Sequence, residues 1–237
     1  MMATPDPLPQ QNCLLALLPE QDLAALLPKL RFVQFPLGAS LYESGEHLSH
    51  VYFPVGGIVS LLYVTQNGDS AELAVIGSEG MVGVSLFMGG ETTPNRAVVQ
   101  AACDAYELPS RDLKKKFAEG GMFQLLMLKF TQALITQVSQ TAVCNLHHTI
   151  EQQLCRWLLL SLDRLPGNAI QMTQELIANM LGVRRQGVTA AARKLESSGI
   201  IEYSRGLITV RDRGMLKERC CECYAVVKKE TDRLLSG

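Results

Sequence analysis

Arg184, Arg185, Gln186, Thr189 and Arg193 fall within ten residues of one another. Arginine and glutamine are the side chains that read guanine and adenine edges bidentately in a major groove, so the chemistry on offer is base recognition. Thr173 and Gln174 just ahead, and Arg205 just beyond, are of the types that hold phosphate oxygens. A second set is Cys220, Cys221 and Cys223. On a helix Cys220 and Cys223 share one face at i, i+3 and could give two thiolates to a metal or form a redox pair. A four-coordinate site still needs partners from far away in sequence, and the histidines at 47, 50, 147 and 148 are not near in the chain. Packing is therefore the first reading of these thiols; no metal ligand set and no required cofactor is assigned, and redox or metal sensing at Cys220, Cys221 and Cys223 is the alternative. Cys13, Cys103, Cys144 and Cys155 read as small core residues. No nucleophile with a base at a recognisable spacing, no phosphate-cradling loop leading into a helix and no spaced pair of carboxylates with a glycine turn is present, so an enzyme is not expected.

The elements that must position the arginines are legible around them. Ile177, Leu181, Val183, Val188 and Ala191 fall where two short, steeply crossing helices bury side chains against each other. Ala178 sits at the close approach and Gly182 at the turn. Arg184, Arg185, Gln186, Thr189, Ala190 and Arg193 are left on the outward face of the second helix. After Leu195, Gly199 ends that helix, and Ile200 to Tyr203 and Leu207 to Val210 alternate like two strands joined at Ser204-Arg205-Gly206. This is a β-hairpin wing with Arg205 at its tip.

Charge divides the chain in the same way. Residues 1–155 carry eight Lys+Arg against fourteen Asp+Glu, whereas 156–219 carry eleven against six, beneath an overall net charge of -1. Positive charge gathers where phosphates must be neutralised, and the front part repels nucleic acid. Hydrophobic content of 47% with 19% charged residues can bury the cores of two domains in 237 residues. The apolar run Leu14 to Leu18 is short and lacks a preceding basic residue, and no stretch approaches the roughly 18 apolar residues of a membrane span. A cytoplasmic protein with no membrane partner is expected.

In chain order, residues 1–12 read as a loose arm rich in Pro and Gln. Residues 13–30 read as two short amphipathic helices separated at Pro19. From Arg31 to Pro109, short apolar runs broken by Gly or Pro predict an antiparallel β-roll, with Asn67-Gly68 joining Ile58–Val64 to Ser70–Ile76. Met122 to His148 then runs for about seven turns without Pro or Gly. Leu125, Leu128, Gln132, Ile135, Ser139, Ala142 and Leu146 form one stripe of this helix; Leu126, Phe130, Leu134 and Val138 form another. Two such faces need two partners, the roll for one and a second copy of the chain for the other.

The whole chain resembles the family of the cyclic-AMP receptor protein and the fumarate-nitrate regulator. The likeness lies in the Ser44-Gly45-Glu46 turn, Val51-Tyr52-Phe53 leading to Gly57, Met81-Val82-Gly83 running to Leu86-Phe87, the long helix ending Cys144-Asn145-Leu146, and the winged helix. It implies an α+β chain with an N-terminal antiparallel β-roll sensor (1–120), a dimerisation helix (121–148) and a C-terminal winged helix-turn-helix (149–237). It further implies a homodimeric transcription regulator whose paired recognition helices enter successive major grooves of palindromic double-stranded DNA, with RNA polymerase as a further partner. The family's first base-contacting arginine falls on Arg185. The next position, commonly glutamate, is Gln186, and a later arginine contact falls on Ala190, so a different half-site is expected.

The sensor departs from the cyclic-AMP pattern. The pocket positions carried over from the family are Gly83, Val84, Ser85, Asn95, Arg96, Ser139 and Gln140. Val84 stands where relatives grip the ribose with a glutamate. Asn95 stands at the phosphate-binding arginine and Arg96 one place later, a shift that reverses a side chain's face in a strand unless a bulge intervenes. Ser139 and Gln140 keep polar groups at the base-contacting positions. Charge-assisted interactions worth about 1.5–3 kcal/mol each are missing, so the expected effector is not cyclic AMP, and its identity is left unknown. The iron-sulfur version of the family carries a cysteine cluster near the N-terminus, where only Cys13 lies. A haem version would have only His47 and His50 as axial candidates.

Overall fold

The computed structural model describes residues 6–235. Within them the chain runs α1 (Cys13–Ala16), α2 (Glu20–Leu26), β1 (Arg31–Phe35), β2 (Ser40–Tyr42), β3 (His50–Val64), β4 (Ser70–Ile76), β5 (Arg96–Pro109), α3 (Ser110–Ala118) and α4 (Gly121–His147). It continues with α5 (Ile150–Leu162), β6 (Ala169–Gln171), α6 (Gln174–Leu181), α7 (Arg185–Ser197), β7 (Ile201–Ser204), β8 (Leu207–Val210), α8 (Arg213–Arg219) and α9 (Glu222–Leu235). The described residues divide into two compact units: 6–60, 76–133 and 233–235 form one; Leu61–Val75 and Leu134–Asp232 form the other.

The β-rich front half is the expected antiparallel sheet, ordered β1-β5-β3-β4 with β2 also on β5. Arg31 pairs with Glu107 and Phe35 with Cys103 along β1 and β5. The Asn67-Gly68 turn closes the β3–β4 hairpin, with Thr65 N–H donating to the Asp69 carbonyl at 2.8 Å. Of the arm expected over residues 1–12, residues 1–5 lie outside the described residues, and the rest is not loose. Pro9–Gln11 form a 3₁₀ turn and Asn12 is fully buried. Its Oδ1 caps α1 by accepting from Leu14 and Leu15 N–H, while Nδ2 donates to the Pro54 and Gly80 carbonyls, both at 2.8 Å. A side chain that satisfies both a helix end and two loop carbonyls ties the arm down. Cys13 also departs from expectation. It is exposed, because Leu14 and Leu15 form the buried face of α1.

The two stripes of α4 separate as their spacing requires. Leu126, Phe130 and Leu134 are buried and Val138 is half-buried, whereas Leu125, Leu128, Ile135 and Leu146 are 45%, 51%, 57% and 77% exposed. Gln132, Ser139 and Ala142 are exposed with them. No helix among the described residues is long and apolar enough to cross a membrane.

The second unit is built on α5, in which Gln153 to Leu162 are all buried. A reciprocal capping box starts it: Gln152 N–H donates to Thr149 Oγ1 at 3.3 Å, and Thr149 N–H to Gln152 Oε1 at 3.0 Å. β6, β8 and β7 form a small antiparallel sheet, in that order. β6 is an addition to the two-stranded wing expected from sequence; three residues are too few for their alternation to register.

Candidate nucleic-acid interface

Helices α6 and α7 form the helix-turn-helix. Thr173 caps α6, its Oγ1 accepting from Leu176 N–H at 3.3 Å. Gly182 ends the helix at φ 65°, a left-handed conformation that the tight turn demands and glycine adopts without penalty. Ile177, Ala178, Leu181, Val188, Ala191, Ala192 and Leu195 are buried between α6, α7 and their supports, while Val183 is only half-buried. Gly187 is the residue that lets α7 settle on α5. A Cβ there would lie 2.5 Å from Ile150 Cδ1.

That packing leaves Arg185, Gln186 and Arg193 exposed and Thr189 half-exposed. They line a groove of about 450 Å³ together with Gln174, Ala192, Glu196 and Tyr203. A second groove of about 340 Å³ shares Gln174, Arg185 and Tyr203 with it and reaches Thr173, Arg205 and Gly206. The two grooves thus join seven of the eight residues singled out from sequence. The eighth, Arg184, lines neither. It stands at the N-cap of α7, where an extended φ/ψ of -72° and 141° takes it off the helical face that the spacing predicts for it.

The wing is held to this groove by contacts without a local sequence signal. Tyr203 N–H donates to Glu196 Oε1 at 3.1 Å, and its hydroxyl donates to the Met172 carbonyl at 3.0 Å. Burial pushes that hydroxyl's pKa up, keeping it a donor. Ser204 pairs with Leu207, so the turn is the two residues Arg205 and Gly206, with φ 50° and 77°. Both central residues at positive φ make the primed hairpin turn that matches strand twist, and it carries Arg205 at the tip.

Charge on this surface is selective. Lys194 and Arg219 pair with Glu151, Arg211 with Glu202, and Arg213 with Asp163. Arg184, Arg193 and Arg205 have no ion-pair partner among the described residues. Arg185 has a loose one, Nε lying 3.8 Å from Glu175 Oε2, with both side chains about two-thirds exposed. A pair so exposed is worth little in water and yields readily to a phosphate or a base edge.

The proposed effector residues have other company. Gly83, at φ 109°, leads into the 3₁₀ turn Val84–Leu86, and Ser85 Oγ is buried with no partner among the described residues. Asn95 N–H meets Thr93 Oγ1 at 3.4 Å. The register between β2 and β5 shifts beside Arg96, where Ser40 pairs with Val98 but Tyr42 with Ala97. The extra residue is on β2 and leaves the alternation of β5, which carries Arg96, unchanged. The Arg96 guanidinium donates from Nη2 to Glu43 Oε1 at 3.0 Å. Ser139 and Gln140 lie on the part of α4 assigned to the other unit, Ser139 donating back to the Ile135 carbonyl at 2.8 Å. His47 and His50 face Glu91 and Glu107 at 2.7 and 3.9 Å.

The cysteines are rearranged relative to expectation. Cys220 and Cys223 do not share a helical face, because α8 ends at Arg219 and α9 begins at Glu222. Cys221 and Cys223 instead turn inward onto Cys144, with Cys220 packed at the margin. Cys144 is therefore not an isolated core residue. Cys144 Sγ lies 3.6 Å from Cys221 Sγ, close enough for either thiol to donate to the other.

Comparison with known proteins agrees with this architecture. Residues 32–119 match the cyclic nucleotide-binding domain, and residues 152–219 match the Crp-like helix-turn-helix domain. The chain is 24% identical over 212 residues to the global nitrogen regulator of Synechococcus elongatus, covering 86% of this chain and 95% of that protein. Among solved structures it is similar to FixK2 from Bradyrhizobium japonicum, with a TM-score of 0.67 and 17% identity over 81% of this chain and 98% of that one. It is also similar to a CRP/FNR-family transcriptional regulator from Thermus thermophilus, with a TM-score of 0.63 and 20% identity over 80% and 97% of the two chains. With a cyclic nucleotide-binding domain in front, a Crp-like helix-turn-helix behind and a long helix between them, the chain belongs to the Crp/Fnr family of DNA-binding transcription regulators.

Proposed function

We propose that this regulator works in the cytoplasm as a homodimer, 1–120 as sensor, 121–148 as dimerisation helix and 149–237 as DNA-binding domain. Each subunit lays α7 in a major groove of a palindromic site. The observation that carries this reading is the joined groove in which Arg185, Gln186, Thr189 and Arg193 meet Arg205 of the wing. Arg185 and Gln186 read base edges, helped by Arg184 and Thr189; Thr173, Gln174, Arg193 and Arg205 hold phosphates. Dimerisation pairs the exposed stripe Leu125, Leu128, Gln132, Ile135, Ser139, Ala142 and Leu146 with its copy. Gln132 and Ser139 set its register.

The effector is not cyclic AMP. Val84 offers the ribose no carboxylate. RNA polymerase is a further partner of the DNA-bound dimer.

Selection of bound sequences from random DNA by the purified protein tests the reading. An inverted repeat with half-sites about 34–36 Å apart is expected. A preference with no two-fold symmetry, or no preference at all, would overturn it.

A further inference from the structure

Cys144, His148, Cys221 and Cys223 bring four potential ligand atoms within 4.8 Å of one another. All four residues lie in the second compact unit. We propose that this cluster is a closed, four-ligand site for one thiophilic divalent cation, zinc being the fitting occupant.

Two of the six ligand-to-ligand distances match the edges of a tetrahedral site, and all six lie within 4.8 Å. Zinc–sulfur bonds of about 2.3 Å and zinc–nitrogen bonds of about 2.0 Å set ligand-to-ligand edges of about 3.8 Å for S···S and about 3.5 Å for S···N. Cys144 Sγ and Cys221 Sγ are 3.6 Å apart, and Cys223 Sγ is 3.6 Å from His148 Nδ1. Ligand atoms so close enclose a single ion and leave no room for the iron and sulfide atoms of a cluster. Three thiolates with one imidazole select zinc over the hard cations, which take oxygen ligands.

The surroundings fit a metal better than ordinary packing. Cys144 and Cys223 are fully buried and Cys221 is 6% exposed, so all three thiols are withdrawn from solvent in one place. His148 presents Nδ1 to the cluster, while its Nε2 lies 3.4 Å from Glu222 Oε1. A carboxylate that receives Nε2–H fixes the tautomer whose Nδ1 lone pair is free to bind, which is the usual outer support of a metal-bound histidine. Gln153 Nε2 donates to the Cys144 carbonyl at 3.4 Å and the His148 carbonyl at 3.0 Å, holding the helix end that carries both ligands. Nearby, the buried Arg156 guanidinium donates to Thr141 Oγ1 at 3.1 Å, one turn before Cys144, and its Nε has no partner among the described residues. A divalent ion with three thiolates carries one net negative charge, which this guanidinium would balance.

On binding, every ligand thiol that is still protonated releases its proton to solvent, and the ion joins the last turn of α4 to the α8–α9 junction. Because the ligands come from positions 77 residues apart in the chain, the site forms only in the folded unit.

Metal analysis of the full-length protein, purified without a chelator or a histidine tag, tests this. About one zinc per chain is expected. Cobalt(II) added to the stripped protein should give the visible bands of tetrahedral thiolate coordination, and zinc should bleach them. Cys223→Ser should lose both signals and Cys220→Ser should keep both. Should Cys223→Ser not fold, His148→Cys supplies the check, retaining one ion per chain with bands shifted toward four-thiolate coordination. Less than about 0.1 zinc per chain with no cobalt bands overturns the site. So does metal retained in folded Cys223→Ser, or a Cys144–Cys221 disulfide in the isolated protein.

Discussion

The Thr189 hydroxyl donates to Gln174 Oε1 at 2.5 Å, joining the outer face of α7 to the first residue of α6. This bond ties the two helices together on the side that faces DNA in the proposed complex. Thr189→Val keeps the shape and removes the donor, although the same hydroxyl also lies 3.0 Å from the Arg185 carbonyl. A loss of about 0.5–1.5 kcal/mol in unfolding free energy is expected in denaturant titration; an unchanged midpoint would mean that packing alone sets the spacing.

Arg205 at the wing tip approaches the phosphate backbone in the proposed complex and touches no base. Arg205→Ala should weaken all DNA sequences alike and lower the slope of log K against log salt by about 0.9 for each phosphate that is no longer neutralised. A weakening confined to particular sequences would give Arg205 a base-reading role instead.

Leu128 and Ile135 lie on the exposed stripe of α4. Leu128→Glu combined with Ile135→Glu places like charges across the proposed dimer interface while sparing the buried stripe. Sedimentation should then report a monomer, and affinity for a full palindrome should fall by roughly 10²–10⁴, the advantage that linking two modules confers. A variant that still sediments as a dimer would move the interface elsewhere.

Much of this arrangement was legible because it repeats. The i, i+3, i+4 spacing separated the faces of α4, and Gly182 and the Ser204-Arg205-Gly206 stretch marked turns through their glycines. What escaped notice depends on single long-range contacts. Asn12 looks like any polar residue of an arm until Pro54 and Gly80 supply its acceptors. Tyr203 and Glu196 enter the groove through a bond that crosses the α7–β7 turn. Cys144 and His148 sit 77 and 75 residues from their thiol partners, and the helix break at Cys220–Cys221 that turns those thiols inward carries no Gly or Pro to announce it.

Asn12 makes its own prediction. Asn12→Ala removes the α1 cap and strands two buried carbonyls, a combined cost of about 2–4 kcal/mol. Thermal unfolding should show a clearly lowered midpoint. A change below about 0.5 kcal/mol would mean that water replaces the side chain at no cost.

Arg185→Ala, read by sequence selection beside the unaltered protein, tests the central claim most directly. If Arg185 reads a base, preference at one base pair of each half-site relaxes by about 1–3 kcal/mol while the remaining positions keep theirs. An unchanged preference at every position, with or without weaker binding, would contradict the placing of α7 in the major groove.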